Sequence, residues 1–393
     1  MAKIIRKVWP SDIPLDEPIE WSIFYGRGNL LLRKGFVITK PEFRAKIISR
    51  GSYLGEIEPD DAASVYTQES TPDALNKELK NESPPAPPPR EPVFAQTTEL
   101  VTAVARIHKI LLSPPTDLVN LNEMIRGRAK LLIGLIEIDQ DAVLASLYLS
   151  PNTTDTRPFQ HVLGAAIAAI IAKHLGTNED SHLSLVCAAL MRDIGLYHFD
   201  RTHGHIDNIP ETARHSIKEH TAIAIHLLKK HGINDSAMLR FIDEHHERPD
   251  GKGYPAGKGD SNIDQLSSLL NLADSYASMI LANQRRVGKI PAHSMRELFL
   301  ERGTRYIEKH VTILVKVLGK FPPGCLVQLA NGEVGVIKSS QTQSVHTIYD
   351  INGLPKSTPF IRDTSLKNYE ITGCLTPEKC KTAMLVIRKI WLG

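Results

Sequence analysis

The chain has 393 residues, more than one ordinary hydrophobic core organises, and its length suits two or three domains. With 42% apolar and 23% charged residues it has the composition of a soluble globular protein, and a formal net charge of +3 gives no field to gather a nucleic-acid polymer or an anionic membrane. Four cysteines, Cys187, Cys325, Cys374 and Cys380, form no C-x-x-C pair and read as reduced thiols of a cytoplasmic protein. The basic start, Met1 to Trp9, is followed by no apolar stretch, so no secretory leader is expected. The longest apolar run, Val162 to Ala172, falls short of the ~20 residues that a bilayer span needs.

Residues 1–60 read as a small β-rich domain. Trp21–Tyr25 and Leu30–Leu32 have strand composition around a Gly26-Arg27-Gly28-Asn29 turn, and Gly35 breaks the chain before Phe36-Val37-Ile38. A capping box of Thr39 with Glu42 predicts a short helix from Pro41 to Ser49, stopped by Gly51. No catalytic constellation lies here; a sensory or targeting module and a plain packing domain fit equally. Residues 61–95 read as a linker, because Pro84–Pro89 favours extended polyproline, as a stiff spacer or a PxxP partner site.

Residues 96–154 read as a helical connector. Leu100, Val104, Ile107 and Leu111 fall at helical spacing up to Pro114-Pro115. A second pattern runs from Leu118 to Leu149, with Leu121, Met124, Ile125, Leu132, Leu135 and Ile136 on its apolar face. These helices are expected to pack on the domain C-terminal to them or to pair two copies of the chain as a homodimer. Residues 155–320 are helical nearly throughout: Phe159–Leu175, with a small-residue face from Gly164 to Ala172, then Leu183–Ile194, Lys218–Lys230, Met238–His246 and Ile263–Ala282. Residues 321–393 return to β. Asn331-Gly332 between Leu326–Leu329 and Val334–Ile337 is a strong hairpin signal, and Asn352-Gly353 after Thr347–Ile351 suggests another. Lys381–Trp391 fits a strand or a helix.

One stretch carries chemistry. From His245 to Pro255 the chain reads His-His-Glu-Arg-Pro-Asp-Gly-Lys-Gly-Tyr-Pro. Helix neighbours point about 100° apart, so two adjacent imidazoles converge only where a helix frays into a loop. Neutral imidazole is the commonest side-chain metal ligand, and such a pair supplies half a metal site. A bare His-His before a turn is more often simply solvated, so the whole stretch decides. It resembles the signature His-His-Glu-x-x-Asp-Gly-x-Gly-Tyr-Pro of the HD-GYP family, a bacterial branch of the HD-domain phosphohydrolases, at every fixed position.

The resemblance covers residues 155–320 and implies a multidomain protein: a small N-terminal β-rich domain, a central all-α HD-type helical bundle and a small C-terminal β extension. Residue by residue, it implies metal ligands at His161, Asp193, His220, His245, His246 and Asp274, with Asp193 bridging and orienting the nucleophile. It places Asp250, Gly251, Gly253, Tyr254 and Pro255 in the loop beside the substrate, with Arg285 as a further substrate contact. The cofactor is a divalent transition metal, iron or manganese, as one or two ions. The activity implied is hydrolysis of cyclic di-GMP to pGpG or GMP by a metal-activated water, with protein contacts through the same loop.

The chain departs from the family at the His-Asp doublet that names it, where Arg192 stands in the histidine's place before Asp193, and at Leu196, where the family has lysine. Asp193, His220, His245 and His246 suffice for one ion, while His161, the shared Asp193 and Asp274 leave a second ion a ligand short. An inward Arg192 would repel that second ion; an outward one would leave a weakened site. Two functions therefore stay open: a phosphodiesterase, or an impaired domain that binds cyclic di-GMP or a partner protein without cleaving. A loop with His198, His203 and His205 offers a replacement for the missing doublet ligand.

Overall fold

The computed structural model describes residues 3–7, 13–14, 17, 19–25, 29–32, 34–38, 47 and 53–56 near the N-terminus. Further on it describes residues 92–115, 120–149, 155–197, 217–281, 288–342, 344–376 and 384–392. The chain divides into two compact units, Met1–Pro89 and Arg90–Gly393.

The first unit holds an antiparallel sheet in the order β1-β4-β2-β3, from β1 (Lys3–Lys7), β2 (Ser22–Tyr25), β3 (Asn29–Leu32) and β4 (Tyr53–Glu56). Ile13, Ile19, Ile23, Leu32, Ile38 and Ile47 form its core. The two expected strands are there as β2 and β3. Phe36-Val37-Ile38 is no strand of this sheet: Phe36 and Val37 are exposed, and only Ile38 turns into the core. Apart from Ile47 the expected helix lies outside the described residues, as does the polyproline stretch.

In the second unit α1 (Val93–Leu111) starts directly after Pro92, a few residues before the apolar periodicity becomes visible. α2 (Leu121–Tyr148) is broken at Asp139 (φ −156°, ψ 89°), whose carboxylate accepts from the Ala142 amide at 2.9 Å and so restarts the helix as a cap. The bundle continues with α3 (Arg157–His174), α4 (Glu179–Met191), α5 (His220–Lys230), α6 (Ser236–Glu244), α7 (Gln265–Ile280), α8 (Pro291–Leu300) and α9 (Glu308–Leu318). Side chains that accept from backbone amides start several of them: Asn178 for α4, Asp235 for α6 and Asp264 for α7.

α3 is the central helix. From Val162 to Ala172 every residue is buried, which is why its pattern lacks a polar face. Its run of alanines packs against α4 and α7. Among the described residues no helix is long and apolar enough to cross a membrane.

The C-terminal extension is an antiparallel sheet in the order β8-β7-β6-β5-β9, from β5 (Leu326–Leu329), β6 (Val334–Ile337), β7 (Ser344–Tyr349), β8 (Pro355–Asp363) and β9 (Ile371–Leu375), followed by α10 (Met384–Leu392). Both expected hairpins form, and the end of the chain is a helix. Leu326, Val336 and Ile348 of the sheet share a core with Phe94, Ala145 and Leu149 of α1 and the end of α2, and with Ile387 of α10. Extension, connector and bundle are thus one packed body.

Behind the first hairpin turn, the buried Glu333 carboxylate accepts from Arg362 at 2.8 and 3.0 Å, from Lys356 at 2.6 Å and from Asn331 at 2.9 Å. The Arg362 guanidinium, with Lys356 and Asn331 behind it, outweighs burial and holds this carboxyl down at about 2. A depressed carboxyl stabilises the fold above its unfolded value of 4.5, and that contribution disappears as pH falls toward 2. Glu333→Gln is therefore expected to lower stability by roughly 2–3 kcal/mol at pH 7. The gap to the unaltered chain should narrow at pH 3, measured by denaturant unfolding followed through the β-sheet signal; a pH-independent gap would contradict the assignment.

Candidate metal centre

The centre forms where helix ends meet. α4 stops at Met191, and Arg192 and Asp193 follow it directly. The turn after them lies against the start of α5: a Cβ on Gly195 would stand 2.1 Å from the His220 carbonyl oxygen, so only glycine allows this approach. His220 opens α5, and His245 caps the C-terminus of α6 with His246 just beyond it. The adjacent histidines therefore sit at a fraying helix end, as their convergence requires.

Three histidines are held in one tautomer. Nδ1 of His161 donates to the Leu190 carbonyl at 2.9 Å, that of His220 to Ile217 at 2.6 Å and that of His245 to Ile242 at 2.7 Å. A carbonyl can only accept, so the proton is on Nδ1 and the lone pair is on Nε2. All three Nε2 atoms are buried without a hydrogen-bond partner. They face Asp193: His220 and His245 stand 3.3 and 3.6 Å from its Oδ1, and His161 stands 3.5 Å from its Oδ2. Backbone-anchored imidazoles with bare lone pairs around a carboxylate are the donor set of a transition-metal site. Ligand atoms of Asp193, His220, His245 and His246 lie within 4.8 Å of one another, a group that could hold a metal ion.

The electrostatics favour the metal-ready forms of Asp193, His161 and His246. Burial alone would raise Asp193, but the Arg192 guanidinium and the imidazoles outweigh it and hold the carboxyl well below its usual range. Burial, then Arg192, pushes His161 far down; burial, then His245 and His220, does the same to His246. His220 is raised, because Asp193 beside it overcomes the burial that lowers it.

Arg192 turns inward. It is 0% exposed, with Nε 2.8 Å from Asp274 Oδ1 and 3.3 Å from Asp193 Oδ2 and Nη2 2.6 Å from Asp274. Nη1 donates to Ala189 at 2.5 Å and Nη2 to Gln160 at 3.4 Å. Of the six expected ligands, the structure thus groups four; His161 faces the other oxygen of Asp193, and Asp274 is taken by Arg192. Arg285 and the loop holding His198, His203 and His205 lie outside the described residues.

The GYP loop is stitched from beneath. Glu247 is 1% exposed, and its carboxylate accepts from the amides of Ala256 at 2.7 Å and Lys258 at 2.8 Å. Glu244 accepts from the Lys258 ammonium at 2.6 Å, the Asp264 amide at 3.1 Å and the Ser267 hydroxyl at 2.9 Å. A Cβ on Gly253 would stand 2.5 Å from atoms of His246, Glu247 and Arg248. That contact lets Tyr254 stack on His246, with ring centroids 4.6 Å apart. Asp250 binds Arg248 at 2.7 Å and the Lys252 amide at 3.1 Å, and Gly251 takes a positive φ of 72° in that turn. Pro255 lies exposed behind the Tyr254–Pro255 cis bond.

Two residues here escaped the reading of the sequence. Glu247 holds the loop backbone. His108 of α1 donates from Nε2 to the same Leu190 carbonyl as His161, at 2.8 Å, and its ring meets that of His161 at 4.8 Å. The available signal was position: His108 is four residues after Val104 and three before Leu111, on the buried face of α1.

Glu247→Ala is expected to cost roughly 2–4 kcal/mol, from two charge-assisted hydrogen bonds lost in a buried place. Hydrogen exchange should accelerate at residues 250–258 while the helical circular dichroism stays; unchanged exchange there would remove the clamp from consideration.

Residues 141–311 match the family model of the HD domain. A cyclic di-GMP phosphodiesterase of Pseudomonas aeruginosa is 25% identical over 228 residues, which is 53% of this chain and 52% of that protein. A 3′3′-cGAMP-specific phosphodiesterase of Vibrio cholerae is 27% identical over 151 residues, 37% of this chain and 35% of that one. The chain thus spans about half the length of the first relative and about a third of the second. Among solved structures, an HDG"Y"P protein from Bdellovibrio bacteriovorus aligns over 81% of this chain and 99% of its own, at 16% identity and a TM-score of 0.48. Residues 141–311 are thus similar to HD domains and the His245–Pro255 stretch to the HD-GYP signature, with Arg192-Asp193 standing where that family has its His-Asp doublet.

Proposed function

We propose that this domain is a metal-dependent phosphodiesterase that opens a cyclic dinucleotide, cyclic di-GMP, to pGpG or onward to GMP. The observation that carries the proposal is the set of bare, buried Nε2 atoms around one ionised carboxylate, at His220 and His245 on Oδ1 of Asp193. Asp193, His220, His245 and His246 are the residues that would hold one iron or manganese ion. Such an ion, when bound, supplies Lewis-acid polarisation of a phosphoryl oxygen and makes water a better nucleophile.

The chain's own residues do the rest. Asp193, kept ionised by Arg192, accepts a hydrogen bond from the attacking water and so orients it. Tyr254, stacked on His246, walls the site, and Lys218 brings its ammonium 5.7 Å from the centre of that ring, a positive charge at the rim for a phosphate. The exposed Lys252, Pro255, Ala256 and Gly257 give a partner protein access to the same loop.

The second reading is binding without cleavage. It is favoured by Arg192, whose three nitrogens are engaged by Asp274, Asp193, Ala189 and Gln160 and cannot turn to a substrate phosphate.

The test is metal analysis and a cyclic di-GMP hydrolysis assay on the full chain purified without oxygen and reconstituted with iron(II) or manganese(II). One ion per chain and chelator-sensitive release of pGpG are expected, and His245→Ala should lose both. Bound nucleotide with no linear product would overturn the phosphodiesterase reading in favour of the second. Metal content untouched by His245→Ala would remove the centre itself.

A further inference from the structure

The centre holds a positive charge of its own, on the side chain of Arg192. Asp193 follows α4 and Asp274 stands on α7, and oxygens of both lie within 3.3 Å of the one Nε of Arg192. One guanidinium thus stands between two largely buried carboxylates and matches both of them. His161 adds its bare Nε2, 3.5 Å from Asp193 Oδ2. With the guanidinium removed, two carboxylates and an imidazole would line one space, which is the donor set of a divalent cation.

The surroundings are cut to fit the guanidinium. The nearest wall is α3 at Gly164, where a Cβ would stand 3.2 Å from both Nη1 and Nη2 and 3.3 Å from Cζ. A larger residue at position 164 would press on the fork. The peptide oxygens of Ala189 and Gln160 accept from Nη1 and Nη2, so the cation is held on three sides by α3, α4 and α7.

We propose that Arg192 is a tethered replacement for a metal ion. It ties α4 to α7 through Asp193 and Asp274 and limits the centre to the single ion of the Asp193, His220, His245 and His246 cluster. The ion count rests on the proposed metal site; the tether does not. A guanidinium stays charged at any working pH, and unlike an ion it is not removed by a chelator. This half of the centre therefore keeps its shape in the metal-free chain.

The experiment has two arms on the full chain. In the first, a double-mutant cycle of Arg192→Met and Asp274→Asn is measured on metal-free protein. Each single change should lower the melting temperature by roughly 5–10 °C, with the double change costing clearly less than the sum. Additive effects, or an Arg192→Met variant as stable as the parent, would overturn the tether. Should Arg192→Met fail to fold, Arg192→Lys keeps the charge without the planar fork; it should fold, melt lower than the parent and show the same ion count.

In the second arm, iron or manganese is counted in the parent and in Arg192→His. The count should rise from about one to about two, and added metal should raise the melting temperature of the variant more than that of the parent. Two ions in the parent, or an unchanged count in the variant, would overturn the replacement. A coupled first arm in a chain that holds no ion would support the tether and sink the one-ion centre.

Discussion

The structure of the bundle depends on the buried charge of Asp193. A carboxylate in that position is expensive unless its oxygens are matched. Oδ2 faces Arg192 and His161, and Oδ1 faces His220 and His245. Those four partners come from α3, the end of α4, the start of α5 and the end of α6, so one side chain sets where four helices meet. The same requirement explains the glycines around it. Gly195 lets α5 approach, and Gly164 makes room for the guanidinium. Each is small because something polar must come near Asp193.

The GYP stretch obeys a different constraint. Its polar residues mostly hold its own backbone. Glu247 accepts two loop amides, and Asp250 closes a turn with Arg248 and Lys252. The rings of His245, His246 and Tyr254 gather around His220 instead. Candidate ligands and loop shape are thus divided within eleven consecutive residues: the front of the stretch carries the imidazoles that could hold an ion, and the rest fixes the wall beside them. Such a wall is rigid before anything binds, which lowers the entropy lost when a ligand is ordered against it.

Much of this was legible in the sequence, and the reasons are local. Several helices of the bundle follow from apolar periodicity, though α3 lacks a polar face and α8 and α9 were not singled out, and the hairpins of the extension follow from Asn-Gly pairs between β-forming residues. The break in α2 was invisible, because Asp139 is an ordinary helix-surface residue until its carboxylate is seen capping Ala142. The residues that cluster, Asp193, His220, His245 and His246, could be named from the resemblance, but the direction of Arg192 could not. It depends on a glycine 28 residues earlier on another helix and on a carboxylate 82 residues later, neither of which is a neighbour in sequence. His108 was missed for the same reason: an apolar stripe hides a polar member whose partner is a distant carbonyl.

That histidine changes where the centre ends. The segment that matches the HD domain begins at residue 141, yet α1 lies wholly before it and still reaches His161. The Leu190 carbonyl accepts from His108 and His161 together, with its two lone pairs divided between connector and bundle. Tyr197, just past the doublet, adds a hydroxyl 3.4 Å from His108 Nδ1 and carries the Arg157 guanidinium on its ring. Burial holds His108 neutral, down at about 4 despite the Leu190 carbonyl, so this contact is a fixed hydrogen bond through the physiological range. A displacement of α1 along its axis would have to break that bond or drag Leu190, three residues before Asp193, with it. The connector is therefore part of the geometry that orients His161 and Asp193, and the supports of the centre extend N-terminal to the HD segment itself.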